Sequence, residues 1–121
     1  GYFPDEIVKG FKNFCYSYAF NYKIVNNPDL EEVIEGEAYI NLMEEDLVKI
    51  LDKIISLNLT VGEQVGLISY NETPLKKFIM NGLTTISTDF AMMGKSAAQL
   101  VLNASKEHIE NPFELVLRGS L

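Results

Sequence analysis

Cysteine and histidine are almost absent from this sequence of 121 residues, and their scarcity excludes several kinds of site. Cys15 is the only cysteine and His108 is the only histidine. One cysteine cannot form an internal disulfide, which fits a reducing compartment. We interpret Cys15 as a buried packing residue rather than a catalytic thiol, because the only histidine is distant in sequence. His108 has no cysteine or second histidine with which to bind zinc, so we expect it at the surface.

Positive charge is also scarce. Lysine and arginine number 10 against 17 aspartates and glutamates, which gives a formal net charge of −7. Without a cluster of basic side chains the chain should repel a phosphate backbone, so any contact with DNA would have to come from another segment. The apolar runs are far shorter than a membrane span, and no secretory leader pattern opens the chain. We therefore expect a cytoplasmic protein rather than a membrane protein or a secretory precursor.

Sequence signatures of catalysis and of cofactor binding are missing as well. Neither G-x-G-x-x-G nor G-x-x-x-x-G-K-S/T is present, and the Gly94-Lys95-Ser96 triplet lies inside a predicted helix without the upstream glycine. The acidic residues 44–46 fall at a predicted helix N-terminus, which attracts carboxylates through the helix dipole alone. The sequence therefore predicts no catalytic residue, no metal site, no cofactor and a protein that is not an enzyme.

Hydrophobic periodicity divides the chain into helices and strands. A helix should open at Pro4 and Asp5, because proline and acids suit a first turn, and we expect Gly10 to allow close packing of that helix. The later elements are predicted in the order strand 20–25, strand 38–41, helix 44–57, strand 65–70, strand 83–87, a helix capped by Thr88 or Asp89 and running to 105, and strand 113–118. This order predicts an α/β fold with a mainly parallel sheet and flanking helices, in three αβα layers. No strand precedes the first helix, so we expect the chain to begin within a fold.

Polar residues follow two of the predicted strands. Asn41 closes strand 38–41, and Asn71 and Glu72 follow strand 65–70. In open α/β sheets, ligands bind outside the carboxyl ends of the strands, and amide and carboxylate groups suit the hydroxyls of a small polar ligand. Alternatively, Asn71 and Thr73 cap their own turn. The residues alone leave both interpretations open.

Four segments of the chain carry a family pattern. They are residues 59–75 (LTVGEQVGLISYNETPL), 81–86 (NGLTTI), 93–97 (MGKSA) and 115–120 (LVLRGS). Together they resemble the effector-binding module of LacI/GalR-type transcription regulators, and the resemblance runs from about Pro4 to the end. It implies a periplasmic-binding-protein-like fold, in which two α/β subdomains enclose a ligand in the cleft between them.

The resemblance implies that this chain is a C-terminal fragment of such a module. Residues 1–87 and 113–121 would form the second subdomain, and residues 88–112 a crossover helix that normally packs on the first. Without that partner, we expect the helix to pack against another copy or to be poorly ordered. The whole protein would be a bacterial regulator that senses a sugar or related small metabolite and binds DNA only through a domain absent from this chain. The segments 69–75 (SYNETPL) and 43–48 (MEEDLV) are similar to a subgroup with a GntR-type winged helix.

Residue-by-residue matching supplies a candidate ligand site. The family's ligand-contacting aspartate falls on Asn71, where an amide replaces the carboxylate, and the family's ligand-binding arginine falls on Ile7. The family's Asn-Asp pair falls on Met43 and Glu44. The predicted ligand-binding residues, from these matches and from the strand ends, are Asn41, Met43, Glu44, Tyr70, Asn71 and Glu72.

The resemblance also implies a homodimer. Family dimers contact through the segment after the 71–74 turn and through the helix before it. The predicted dimer interface comprises Leu47, Lys76, Phe78, Ile79 and Met80. Bare phenylalanine and isoleucine side chains would be unfavourable on a monomer. Two other functions stay open: a solute-binding protein of the same fold, and a regulator module used mainly for dimerisation.

Overall fold

A four-stranded sheet forms the centre of the computed structural model, which describes residues 4–121. In chain order the strands are β1 (Ala38–Asn41), β2 (Gly66–Tyr70), β3 (Thr84–Thr88) and β4 (Phe113–Val116), which is also their order across the sheet. The first three strands are parallel, and β4 runs antiparallel to β3. Three helices, α1 (Asp5–Ser17), α2 (Glu44–Ser56) and α3 (Phe90–Leu102), accompany the sheet. The predicted α/β class, with a mainly parallel sheet and flanking helices, is confirmed.

The helix α2 supplies one side of the hydrophobic core. Its first turn carries three acids, whose charges favour a helix N-terminus. Apolar residues at helical spacing then bring Leu47 and Ile54 to the buried face, where they are 2% and 0% exposed. The other buried members of the core are Val61, Val65, Leu67 and Leu83. Each side chain of this size stabilises the fold by roughly 1.5–3 kcal/mol when it leaves water.

The prediction of a strand at residues 20–25 is wrong. These residues form no strand, and Phe20 and Tyr22 remain 59% and 47% exposed. Their rings pack against α1 instead: Phe20 stacks on Phe14 at 5.6 Å between centroids, and Tyr22 meets Phe11 edge-on at 5.5 Å. Alternating apolar residues become a strand only when a neighbouring backbone supplies hydrogen bonds, and within residues 4–121 no strand pairs with this segment.

The helix α3 begins where the sequence predicts and lies largely in solvent. The Asp89 carboxylate caps it by accepting a hydrogen bond from the Met92 amide at 2.9 Å. None of its residues is buried, and a Cβ added at Gly94 would touch nothing within 4 Å. The same is true at Gly10 in α1, so the expected close packing at Gly10 is wrong for the described chain. Among the described residues, no helix is long and apolar enough to cross a membrane.

The last residues of the chain join β2 to β3 at their N-terminal ends. The buried Ser120 hydroxyl donates to the Leu67 carbonyl at 2.6 Å and accepts from the Thr84 amide at 2.7 Å. Gly62 has a φ of +88°, and a Cβ there would come within 2.0 Å of the Gly119 carbonyl oxygen. A side chain at position 62 would therefore push the terminal segment away. The terminal segment therefore packs against the N-terminal ends of β2 and β3.

Candidate ligand-binding edge

The C-terminal ends of β1 and β2 lie side by side. Asn41 is paired in register with Ser69, so Tyr70 and Asn71 follow immediately beyond the same row. Ser69 is paired in turn with Thr85 of β3. The structure therefore brings together three of the predicted ligand-binding residues, because the carboxyl ends of neighbouring parallel strands share one edge.

Asn41 has a side-chain acceptor that receives no hydrogen bond from the described part of the chain. The residue is 4% exposed, and within residues 4–121 its Oδ1 atom has no hydrogen-bond partner. A buried acceptor without a donor costs about 1–3 kcal/mol. Its neighbours in the row, Ser69 and Thr85, are also buried and polar. The C-terminal ends of β1, β2 and β3 therefore carry a row of buried polar side chains, and one acceptor in this row has no donor within residues 4–121.

Asn71 adopts a left-handed backbone conformation with a φ of +63°. Asparagine tolerates this region better than most residues with a Cβ. Its amide donates to the Ile86 carbonyl at 2.8 Å, and its carbonyl accepts from the Lys76 ammonium at 2.6 Å. The backbone of Asn71 is therefore fixed from two sides, while its side chain stays partly exposed.

Met43 and Glu44 lie at the start of α2, beside this edge. Met43 is the N-cap residue of the helix. The Glu44 carboxylate forms an ion pair of 2.6 Å with Lys76, and the two side chains are 62% and 1% exposed. Through Lys76, which also donates to the Tyr70 carbonyl at 3.1 Å, Glu44 is connected to the end of β2.

Glu72 is bound within the fold rather than free at the edge. One carboxylate oxygen accepts from Thr85 at 2.6 Å and from Arg118 at 2.9 Å, and the Glu72 amide donates to Ser87 at 2.9 Å. Its other oxygen is buried without a partner in residues 4–121. Arg118 also donates to the Leu83 carbonyl at 2.7 Å. Glu72 therefore holds the turn against the sheet.

The pKa of the Glu72 carboxyl lies below 4.5, its ordinary value. Burial by itself would raise this pKa. The hydrogen bonds from Thr85 and Arg118, with the positive charges of Arg118 and Lys77, outweigh burial and lower the pKa. In the sequence, Arg118 belongs to the family segment 115–120, and no local pattern identifies it as the partner of Glu72.

The predicted dimer residues are divided between the core and the surface. Leu47 belongs to the core and Lys76 is 1% exposed, so neither side chain is available to a partner. Ile79 and Met80 are partly buried against the core. Only Phe78, at 81% exposed, projects fully into solvent. The predicted interface therefore requires correction at Leu47 and Lys76, because both side chains are already packed within the chain.

Three exposed apolar residues besides Phe78 lie on α2 or on the turn that precedes Phe78. Val48 and Ile55 are seven residues apart on one face of α2 and are 66% and 62% exposed. Leu75, 66% exposed, lies with Phe78 at the 3₁₀ turn Pro74–Lys77, which the Lys76 side chain ties to the first residue of α2. We call Leu75 and Phe78 the apolar patch. Val48 and Ile55 directly follow the buried residues Leu47 and Ile54.

Side chains that bind metals do not form a cluster in the described part of the chain. No group of three or more histidine, cysteine, aspartate or glutamate side chains in residues 4–121 converges closely enough to hold a metal ion. A surface cavity of about 570 Å³ lies elsewhere, between residues 29–33 and the C-terminal half of α2. That cavity is open, and Lys53 crosses it to donate to the Glu31 carbonyl at 2.5 Å.

Several solved structures share this fold. A LacI-family transcription repressor from Corynebacterium glutamicum has 24% identity and a TM-score of 0.56, over 69% of this chain and 34% of that one. The lactose repressor bound to the anti-inducer ONPF has 23% identity and a TM-score of 0.57, over 69% and 33%. A LacI-family regulator from Lactobacillus casei with bound glucose has 21% identity and a TM-score of 0.55, over 69% and 32%.

This chain spans about a third of the length of those structures. No curated protein sequence matches it. At these identities the similarity establishes the fold alone. The family follows from a separate match, since the model of the periplasmic binding protein-like domain covers residues 7–121. The chain therefore belongs to the periplasmic binding protein-like domain family.

Proposed function

We propose that this chain is the ligand-sensing and dimerisation part of a LacI-like, DNA-binding transcription regulator that responds to a sugar or a related small metabolite. Family membership and the fold shared with LacI-type repressors support this function. One structure of the Lactobacillus casei regulator contains glucose and another contains sucrose. The module acts without catalysis, by binding its ligand better in one arrangement of its subdomains than in another.

The observation that carries this proposal is the polar end of β1 and β2, where Asn41 Oδ1 has no partner within residues 4–121 and Asn71 follows the paired strand. Asn41 and Asn71 offer amide groups, and Glu44 adds a carboxylate that is mostly exposed. Hydroxyl groups of a sugar both donate and accept hydrogen bonds, so they match this set. Met43 and Tyr70 would provide the apolar surface, and Glu72 would hold the turn that carries Asn71.

Residues 1–87 and 113–121 would form one wall of the cleft, and residues 88–112 would pack on a first subdomain. The absence of any buried residue in α3 within the described chain supports this division. A separate domain would supply the DNA contact, because the net charge of −7 does not favour binding of DNA by this chain. We assign that domain to the winged-helix fold of GntR type. A different fold in the DNA-binding domain of the complete protein would contradict this assignment.

The experiment is a thermal-shift screen of sugars and sugar-like metabolites, including glucose and sucrose, on the complete regulator. Half a cleft encloses too little of a small ligand to bind it tightly, so the complete protein is needed. A ligand at 100 times its dissociation constant should add about 2.7 kcal/mol to the free energy of unfolding. Asn71→Gly should then weaken binding about tenfold or more, because glycine keeps the left-handed backbone and removes the amide.

The matched control is Asn58→Gly. Asn58 has a similar φ of +55° but follows α2, away from the edge, so its replacement should leave ligand affinity unchanged. A ligand that binds the Asn71→Gly protein as tightly as the original would contradict the proposed site. No thermal shift from any sugar would contradict the sensing function and leave dimerisation as the role of the chain.

The apolar patch supports dimerisation as a second function. Phe78→Glu should weaken the dimer about tenfold or more, because a charge would be buried at the contact. Leu30→Glu is the matched control, since Leu30 is also 81% exposed but lies outside the patch. Sedimentation equilibrium measures both variants. A monomer at high micromolar concentration, or an unchanged dimer in Phe78→Glu, would contradict this function.

A further inference from the structure

Lys76 occupies a position that is unusual for a lysine. Its side chain is 1% exposed, although lysine is almost never fully buried unless it is paired. Three oxygens surround the ammonium: the Tyr70 carbonyl at 3.1 Å, the Asn71 carbonyl at 2.6 Å and Glu44 Oε1 at 2.6 Å. An ammonium group has three N–H donors. Its donor capacity is therefore filled by groups of this chain, and Lys76 is not itself a ligand contact.

The three oxygens belong to separate parts of the structure. Tyr70 ends β2, Asn71 begins the following turn, and Glu44 is the first residue of α2. The hydrogen bond to the Asn71 carbonyl helps to hold Asn71 at its positive φ. The Glu44 side chain is 62% exposed, so a ligand can reach its second oxygen while the first remains paired with Lys76.

In the sequence, Lys76 lies between the two residues of the apolar patch. Leu75 precedes it directly and Phe78 follows two residues later, both strongly exposed. The turn that carries these two side chains is held to α2 by the Lys76–Glu44 ion pair. A displacement of Glu44 or Asn71 would therefore move the turn that carries Leu75 and Phe78, because the buried Lys76 side chain contacts both Glu44 and Asn71.

We propose that Lys76 is a positioning residue that couples the ligand-binding edge to the apolar patch, through its contacts with Glu44 and Asn71. This inference rests on the proposed function and adds the route by which ligand and dimer affect one another. A ligand that binds Glu44 or Asn71 changes the groups that hold Lys76, and Lys76 then changes the position of Phe78. The coupling is reciprocal, so dimer formation changes ligand affinity by the same factor.

A double-mutant cycle on the dimer dissociation constant tests this coupling in the full chain. The four proteins are the original, Glu44→Gln, Lys76→Met and the double variant, measured by sedimentation equilibrium. Glu44→Gln should weaken the dimer about threefold or more when Lys76 is present, and by less than about 1.5-fold when it is methionine. Lys12→Met is the matched control, since Lys12 is exposed on α1 and lies outside the turn that carries Leu75 and Phe78, and it should stay within about twofold.

Equal effects of Glu44→Gln in both backgrounds would overturn the proposal, because Glu44 would then act without Lys76. NMR supplies a readout that does not need a dimer. Glu44→Gln should shift the Asn71 amide and Phe78 ring resonances in the original chain but not in Lys76→Met. A monomeric original chain would contradict the dimerisation function, while these resonances would still decide the role of Lys76.

If Lys76→Met does not fold, the single variant Glu44→Gln tests the role of Lys76. The proposal requires that the Lys76 ammonium protons of the original chain exchange slowly with water. It also requires that Glu44→Gln changes both this ammonium signal and the Phe78 resonances. Shifts confined to residues next to Glu44 would overturn it.

Discussion

The carboxylate of Glu72 makes the stability of this chain depend on pH. Its pKa in the folded state lies below 4.5, so the unfolded chain binds the proton more tightly. The contribution of Glu72 is therefore complete well above pH 4.5 and is lost as pH falls through the folded-state pKa. Urea unfolding should show a free energy that decreases below about pH 4.5, and Glu72→Gln should remove part of that decrease.

The same substitution should also lower stability at neutral pH. Glu72 accepts charged and neutral hydrogen bonds from Arg118 and Thr85, and losing bonds of this kind costs about 1–3 kcal/mol. Glu63→Gln is the matched control, because Glu63 is an exposed carboxylate in the loop before β2, at the other end of that strand from Glu72. A Glu72→Gln chain with the original stability at every pH would contradict the role assigned to this ion pair.

The sequence predicted which residues would lie at the ligand edge better than it predicted their contacts. Asn41 and Asn71 follow strands that form as expected, so their proximity could be inferred. The direction of a side chain depends on groups distant in the sequence: Glu72 binds Arg118, which is 46 residues away. Charge and local pattern do not encode such a pairing, and the same limitation hid the burial of Lys76.

Elements were predictable where the signal is contained in the element itself. α2 carries acids at its start and an apolar stripe along one face, so its bounds agree within a residue with the prediction. Residues 20–25 have an equally clear alternation but no strand, because a strand also needs a neighbouring backbone. In α2, Val48 and Ile55 directly follow the buried residues Leu47 and Ile54, and only the packing of the helix on the rest of the fold determines which of two adjacent apolar side chains is buried.

At the scale of the whole molecule, α3 stands out among the elements of residues 4–121, because it is rich in apolar residues and none of them is buried. Exposed hydrophobic side chains on this helix include Phe90, Val101 and Leu102, which are 50%, 80% and 84% exposed. A helix with such a surface is expected to be covered in the complete protein, and the chain spans only about a third of its structural neighbours.

Gly94 distinguishes a helix that is covered from one that is free. In this chain, Gly94→Ala should raise stability by about 1 kcal/mol, because alanine favours a helix and its methyl group would meet nothing within 4 Å. If a first subdomain packs closely on α3 in the complete regulator, the same methyl group should create a clash, and the gain should become a loss. Gly10→Ala is the control, since Gly10 is equally open in α1 and should give a gain in both proteins. Thermal unfolding of the four variants measures this difference, and an equal gain for Gly94→Ala in both proteins would mean that nothing approaches α3 at that position.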